Sequence, residues 1–356
     1  MRKRPLKWPL LPLAAAVPLA LLAGMAGGLL RAGVALPSAG DWLGQAAVAH
    51  GLLMICAVLG TVIGVERAVA VKHPLCFAGP LASAAAGIAQ LGGAGRLAAG
   101  LVVAAALAFV AVNVVIVRRQ RAAHTTLLLV GAACWAVGSL AHAFGLGGAL
   151  PWWFAFLVLT IAAERLEMTR LMRRQPGAVV ALHAILAALL AGAALHDALY
   201  GLALAALALW LLAFDIARRT VRAQGLARYM AVCLLAGYAW LLVAGAAWAA
   251  TSLGWPWRDA ALHALGLGFV TSMVFGHAPV ILPAIAGVKL AFGWPWYLPL
   301  LLLHASLALR LLGGPGLLAA GAAGNALAIA AFAAVVAGAA LAWRLKFKDS
   351  HGTDPS

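Results

Sequence analysis

The chain has 356 residues, of which 65% are Ala, Val, Ile, Leu, Met, Phe, Trp, Tyr or Cys and only 10% are Asp, Glu, Lys or Arg. A soluble domain carries about 25% charged residues, so a water-facing surface cannot be assembled from this composition and the chain is expected to be integral to a membrane. A cytosolic enzyme, a nucleic-acid module and a membrane-anchored ectodomain are thereby excluded, and the net charge of +16 needs another explanation.

Apolar runs between charged or Pro/Gly-rich breaks predict spans near 9–30, 43–64, 75–94, 97–117, 125–146 and 151–169. The second half adds 178–195, 198–216, 229–252, 260–282, 294–312 and 318–343. Twelve spans of about 20 residues leave roughly 116 for loops and tails, so a single integral membrane domain over 1–356 is expected, an all-α polytopic bundle. Cytoplasmic loops collect Lys and Arg. With the N-terminus inside, 21 of the 25 basic residues fall on the inner side, and only Arg31, Arg96, Arg258 and Arg310 lie outside. This asymmetry predicts cytoplasmic termini and turns the charge into an orientation signal. The first span, behind Met1-Arg-Lys-Arg, also has the charged start of a secretory signal, but its apolar stretch is longer than a usual signal core.

Cys56, Cys76, Cys134 and Cys233 fall in separate spans without a C-x-x-C pair, which predicts packed apolar side chains rather than a disulfide or zinc framework. Trp42, Trp152, Trp153, Trp255 and Trp257 on the outer side, with Trp8, Trp294 and Trp296 on the inner, read as an aromatic belt. Glu66, Glu164, Glu167 and Asp215 end spans beside Arg67, Arg165 or Arg218, where ion pairing to the basic face is expected and Glu164 is the candidate proton entrance.

Histidine supplies the ionisable groups within the spans. Taking a rise of about 1.5 Å per residue, His142 and His263 lie roughly 6 to 8 Å below the outer boundary, and His50 and His304 roughly 10 to 12 Å below it. Each alone would read as a helix-to-helix hydrogen-bond partner. Four in one membrane half, without a carboxylate among them, point towards metal or haem, because neutral imidazole ligates iron or copper without bringing charge into lipid. His183 and His277 form an inner level, whereas His73, His124, His196 and His351 are expected to be solvated. In span ten, His263 and His277 are 14 residues apart, which returns to within about 40° on an unbroken α-helix. Gly266, Gly268 and Gly276 remove bulk there, for either a macrocycle or a neighbouring helix, and Pro279 and Pro283 predict a kink.

Twelve spans with a histidine in the outer half of spans two and ten resemble the catalytic subunit of haem-copper oxidases. The resemblance implies that His50 and His263 are axial ligands of one haem. That family's copper site uses a histidine on span six and a His-His pair on span seven, but here span six has none and span seven only His183. The His-Ala-Leu opening of span ten and Ala49-His50-Gly51-Leu52-Leu53-Met54 in span two are also similar to the NnrS family of twelve-span haem proteins associated with bacterial nitric oxide metabolism. The family's early His-x-His-Glu pattern is not present. The resemblance implies a bacterial inner-membrane haem b protein in nitric oxide or respiratory metabolism. It further implies a diatomic gas ligand or a respiratory electron donor, with His142 and His304 as candidates for a second haem, copper or propionate contacts. His277, partnered by His183, is the candidate for a second, stacked haem. The competing expectation is a transporter with a histidine-lined pathway.

Overall fold

The computed structural model describes residues 10–37, 40–168 and 176–349. The residues before Leu10, the Arg170, Arg173 and Arg174 segment and His351 lie outside the described residues. Every described regular element is helical, and twelve helices are long and apolar enough to cross a membrane. In chain order they are α1 (Leu10–Arg31), α2 (Leu52–Val71), α3 (Pro74–Leu91), α4 (Gly95–Arg119), α5 (Ala123–Ala143) and α6 (Ala149–Met168). There follow α7 (Gly177–Leu195), α8 (Asp197–Phe214), α9 (Gly225–Ser252), α10 (Arg258–Ile285), α11 (Trp294–Leu312) and α12 (Pro315–Leu345). Only helices satisfy all their backbone groups internally while lying side by side in hydrocarbon, and the all-α expectation holds for this reason.

The chain divides into two compact units, one formed by residues up to Gln175 with Leu186–His196, the other by Pro176–Ile185 with Asp197 onwards. In the first, α3 to α6 pack in sequential antiparallel pairs, and α1 lies against α2 and α3. Its aromatic centre is Trp135, stacked on Phe156 with ring centroids 5.1 Å apart and edge-on to Phe109. The indole Nε1–H donates to the Cys56 sulfur at 3.4 Å, so Cys56 is a hydrogen-bond acceptor as well as a packed apolar group. In the second unit, α9 packs on α8 and α10, and α11 pairs with α12. Phe275 and Phe332 stack there at 3.8 Å beside the fully buried Trp296.

Several boundaries differ from the sequence expectation for identifiable reasons. The second span continues beyond 64 to Val71 because Arg67 donates to Glu164 at 3.0 Å and lies 3.8 Å from Glu66, a mutual neutralisation that lets the charged stretch remain helical. Asp215 also caps the next turn, its Oδ1 accepting the Ala217 amide at 2.7 Å. Trp153 and Trp296 are buried rather than interfacial, and their indole N–H groups are satisfied by Ser139 and the Ala291 carbonyl. His124 is likewise buried, in the first turn of α5 and 4.0 Å from Glu167, and is not the solvated loop residue expected.

Hydrocarbon offers no hydrophobic drive for one apolar helix to prefer another, so association depends on close van der Waals approach. The α8 and α9 pair achieves this through Gly201-x-x-x-Ala205 and Gly245-x-x-x-Ala249. A Cβ on Gly245 would lie 2.5 Å from the Ala205 backbone nitrogen, and one on Gly201 2.4 Å from that of Ala249. Backbone atoms cannot rotate aside as a side chain can. Gly245→Ala is therefore expected to lower thermal stability in detergent by about 1 to 3 kcal/mol, the usual cost of overpacking. Gly100→Ala, in α4 with nothing within 4 Å of the added methyl, should leave the unfolding midpoint unchanged or higher.

Candidate functional site

The segment leading to His50 is a short helix, Asp41–Val48, followed by Ala49 at φ −98°, ψ 20°. The chain then enters a π-helical stretch, Leu52–Gly60, before resuming α-helix at Thr61. Such wide turns concentrate at functional positions in helices. Opposite this entrance α1 presents Gly24-x-x-Gly27-Gly28. A Cβ on Gly27 would lie 2.4 Å from the Ala46 carbonyl group, and one on Gly28 2.7 Å from Cε1 of His50. The glycines thus make the slot that holds the imidazole. Within it, His50 Nδ1 lies 2.7 Å from the Gly24 carbonyl oxygen. An oxygen of that kind only accepts, so Nδ1 carries the proton and Nε2 presents its lone pair.

In the second unit α10 has the same construction. An α-helical start, Arg258–His263, passes into a π-helical stretch, Ala264–Thr271, and then into α-helix from Ser272 to Ala286. The Thr271 hydroxyl donates to the Gly266 carbonyl five residues earlier, occupying a backbone acceptor within the widened turns. These turns rotate the following face by on the order of 100° relative to an unbroken α-helix, so the same-face relation expected for His263 and His277 is not retained. The helix continues through Pro279 and Pro283 to Ala286.

His263 is oriented by two acceptors. Its Nδ1 lies 3.0 Å from the Asp259 backbone oxygen and 3.0 Å from the Asp259 carboxylate. Arg310 of α11 holds that carboxylate with a two-pronged grip, Nε to Oδ2 at 2.9 Å and a terminal nitrogen to Oδ1 at 2.7 Å. The planar guanidinium suits this bidentate geometry. The resulting chain, Arg310 to Asp259 to His263, fixes the ring and its tautomer in the way a carboxylate orients a metal-ligating histidine.

The same ion pair sets the register of α10 against α11. Counting inward from it, His263 lies about 6 Å and His304 about 9 Å along their helices, so the two imidazoles reach similar depth. Their chemistry is opposite. Trp240 Nε1–H donates to His304 Nδ1 at 3.0 Å, which leaves the proton on His304 Nε2, and that buried N–H meets no partner among the described residues. Ligating a metal through Nε2 with Nδ1 so occupied would require an imidazolate. In this arrangement His304 offers a hydrogen bond to a bound group, not a lone pair to a metal. Trp240 is held against α10 where Gly268 leaves room, since a Cβ there would lie 2.4 Å from the indole.

The remaining candidates are less built. His277 donates from Nδ1 to the Met273 carbonyl at 2.7 Å and is half-buried, and His183 does likewise to Val179 at 2.8 Å from an exposed position. His142 is exposed in the last turn of α5, with its ring 5.3 Å from that of Trp153, because the helix ends at Ala143 rather than near 146. The structure therefore assembles His263 and His304 with Trp240, Asp259 and Arg310 in one unit and seats His50 in the other. Among the described residues no three His, Cys, Asp or Glu groups converge to hold a metal ion by themselves. Sequence reasoning missed Asp259, Arg310, Trp240 and the α1 glycines as parts of a site. The available signals were Gly24-x-x-x-Gly28 and an Asp four residues before His263.

Removing one partner of an ion pair leaves the other charge exposed to a poor environment. Arg310→Met is expected to destabilise the protein by about 2 to 4 kcal/mol, somewhat less than for a fully buried pair because Asp259 keeps some solvent access. Asp259→Asn combined with Arg310→Met should recover most of that loss in a double-mutant thermal unfolding cycle.

No curated protein and no solved structure matches the chain. A family model described as "Domain of unknown function (DUF8744)" matches residues 10–341. The match covers all twelve helices apart from the last few residues of α12, and the chain belongs to this DUF8744 family.

Proposed function

We propose that this chain is a haem b-binding protein of the bacterial inner membrane with both termini cytoplasmic, acting in nitric oxide or respiratory metabolism and related to the NnrS and haem-copper oxidase group. One observation carries the reading: His50 and His263 each spend Nδ1–H on a backbone carbonyl, which puts the lone pair on Nε2, and each stands at the entrance to a π-helical stretch. That tautomer is the one an iron-ligating imidazole adopts when its other nitrogen is tied by a protein acceptor. The donor set also suits a macrocycle better than a bare ion, because haem brings four of its own ligands and needs only one or two from protein.

In this reading His263 and His50 are the iron ligand candidates, one in each unit. Bound haem would supply electron transfer, or gas binding where a coordination position stays open. Asp259, locked by Arg310, makes His263 the better fixed imidazole. His304 would donate a hydrogen bond from its buried Nε2–H to an acceptor on the bound group. Copper is a lesser part of the proposal, since His304 is not prepared to ligate it.

Protein purified after haem-supplemented expression should show a Soret band and a pyridine haemochrome spectrum of haem b. His263→Ala should abolish or shift the band. His50→Ala is measured separately, so that each ligand is tested alone. His304→Phe should retain the band and alter its position or its carbon monoxide and nitric oxide spectra. Absence of a Soret band under these conditions overturns haem binding and leaves the histidine-lined transport reading.

A further inference from the structure

The second unit carries an apolar groove of about 370 Å³ that the histidine site does not use. Its walls are Leu282 near the end of α10, Val288 and Leu290 from the following segment, and Phe332, Val336 and Ala340 on α12. No regular element occupies 287–293, and the chain turns there through Gly287 at φ 66°. The Ala291 amide donates to the Ala339 carbonyl at 3.2 Å, which fastens the segment to α12. Val288 and Leu290 contribute to the walls, and between them the exposed Lys289 extends its ammonium over the Trp343 ring, 5.3 Å from the centroid. Trp343 follows Ala340 by three residues, so the cation stands about one helical turn beyond the end of the groove.

A trough with purely apolar walls and a fixed cation at its end has the polarity of a single amphiphile. Among the described residues no carboxylate pairs with Lys289, and the indole face holds the ammonium through a cation–π contact that leaves its N–H donors available. Arg344 stands exposed beside Trp343 and adds to the positive field. Basic residues beside a crevice between membrane helices are a recurrent means of holding anionic lipid headgroups. We propose that this groove binds an anionic phospholipid, with one acyl chain lying along Phe332, Val336 and Ala340 and the headgroup phosphate accepting hydrogen bonds from Lys289. The site is independent of the haem reading.

The test uses the full-length protein, delipidated in mild detergent and offered phosphatidylglycerol or phosphatidylcholine with matched acyl chains, with bound lipid counted by native mass spectrometry. Wild-type protein should retain phosphatidylglycerol over phosphatidylcholine by about fivefold, the contribution of one lysine at an anionic surface. Lys289→Gln should bring the ratio close to one, and Lys289→Arg should keep it. Ala337→Trp, which places a large side chain in the groove, should reduce retention of both lipids. If that variant fails to fold, Lys289→Gln at its exposed position decides the matter alone. Equal retention of the two lipids by wild type, an unchanged ratio in Lys289→Gln, or preferential capture of a neutral quinone added in competition would each overturn the proposal.

Discussion

Backbone-to-backbone contact between helices is the constraint on which the rest of this structure depends. In lipid, side chains of neighbouring helices gain nothing by leaving solvent, so distance of approach has to supply the attraction. Gly201 and Gly245 bring α8 and α9 into such contact, and Gly27 does the same for α1 against the segment before α2. The polar residues are accommodated around these contacts. Ser139, Thr160, Ser272 and Ser306 return their hydroxyl protons to carbonyls four residues earlier, which keeps them harmless inside the helices.

The same removal of side chains that permits packing also permits function. Gly28 has no Cβ because the His50 ring needs that volume, and Gly268 has none because Trp240 fills it. Trp240 then determines which nitrogen of His304 bears the proton. A glycine on one helix thus reaches, through an indole on a second, the hydrogen-bonding character of an imidazole on a third. Low polarity strengthens each of these links, since an unmade hydrogen bond in hydrocarbon has no water to replace it.

Charge is used sparingly and in two ways. Arg67 with Glu66 and Glu164, and Arg310 with Asp259, are compact clusters that tie helices together, whereas Lys289 rests on an aromatic face, with no carboxylate partner among the described residues. The Arg310 cluster does more than join α10 to α11. By sharing Asp259 with His263 it couples the register of the two helices to the orientation of a candidate iron ligand.

Composition and hydropathy alone determined that the chain is an all-α membrane bundle with twelve spans, because a 20-residue apolar run has few alternatives in lipid. The histidines of interest were also legible, since ionisable groups within such runs are rare. Their chemical roles were not. His142 and His263 looked alike in the sequence, yet one ends exposed at a helix terminus and the other is gripped by Asp259 and Arg310. His124 looked solvated and is buried. The widened turns after His50 and His263 follow from no residue pattern along either span, and they change which face every later residue presents. Only tertiary structure decided these points, because a tautomer, a buried partner or a π-helical turn depends on which carbonyl, indole or carboxylate a different helix brings within 3 Å, and hydrophobic periodicity carries no record of that.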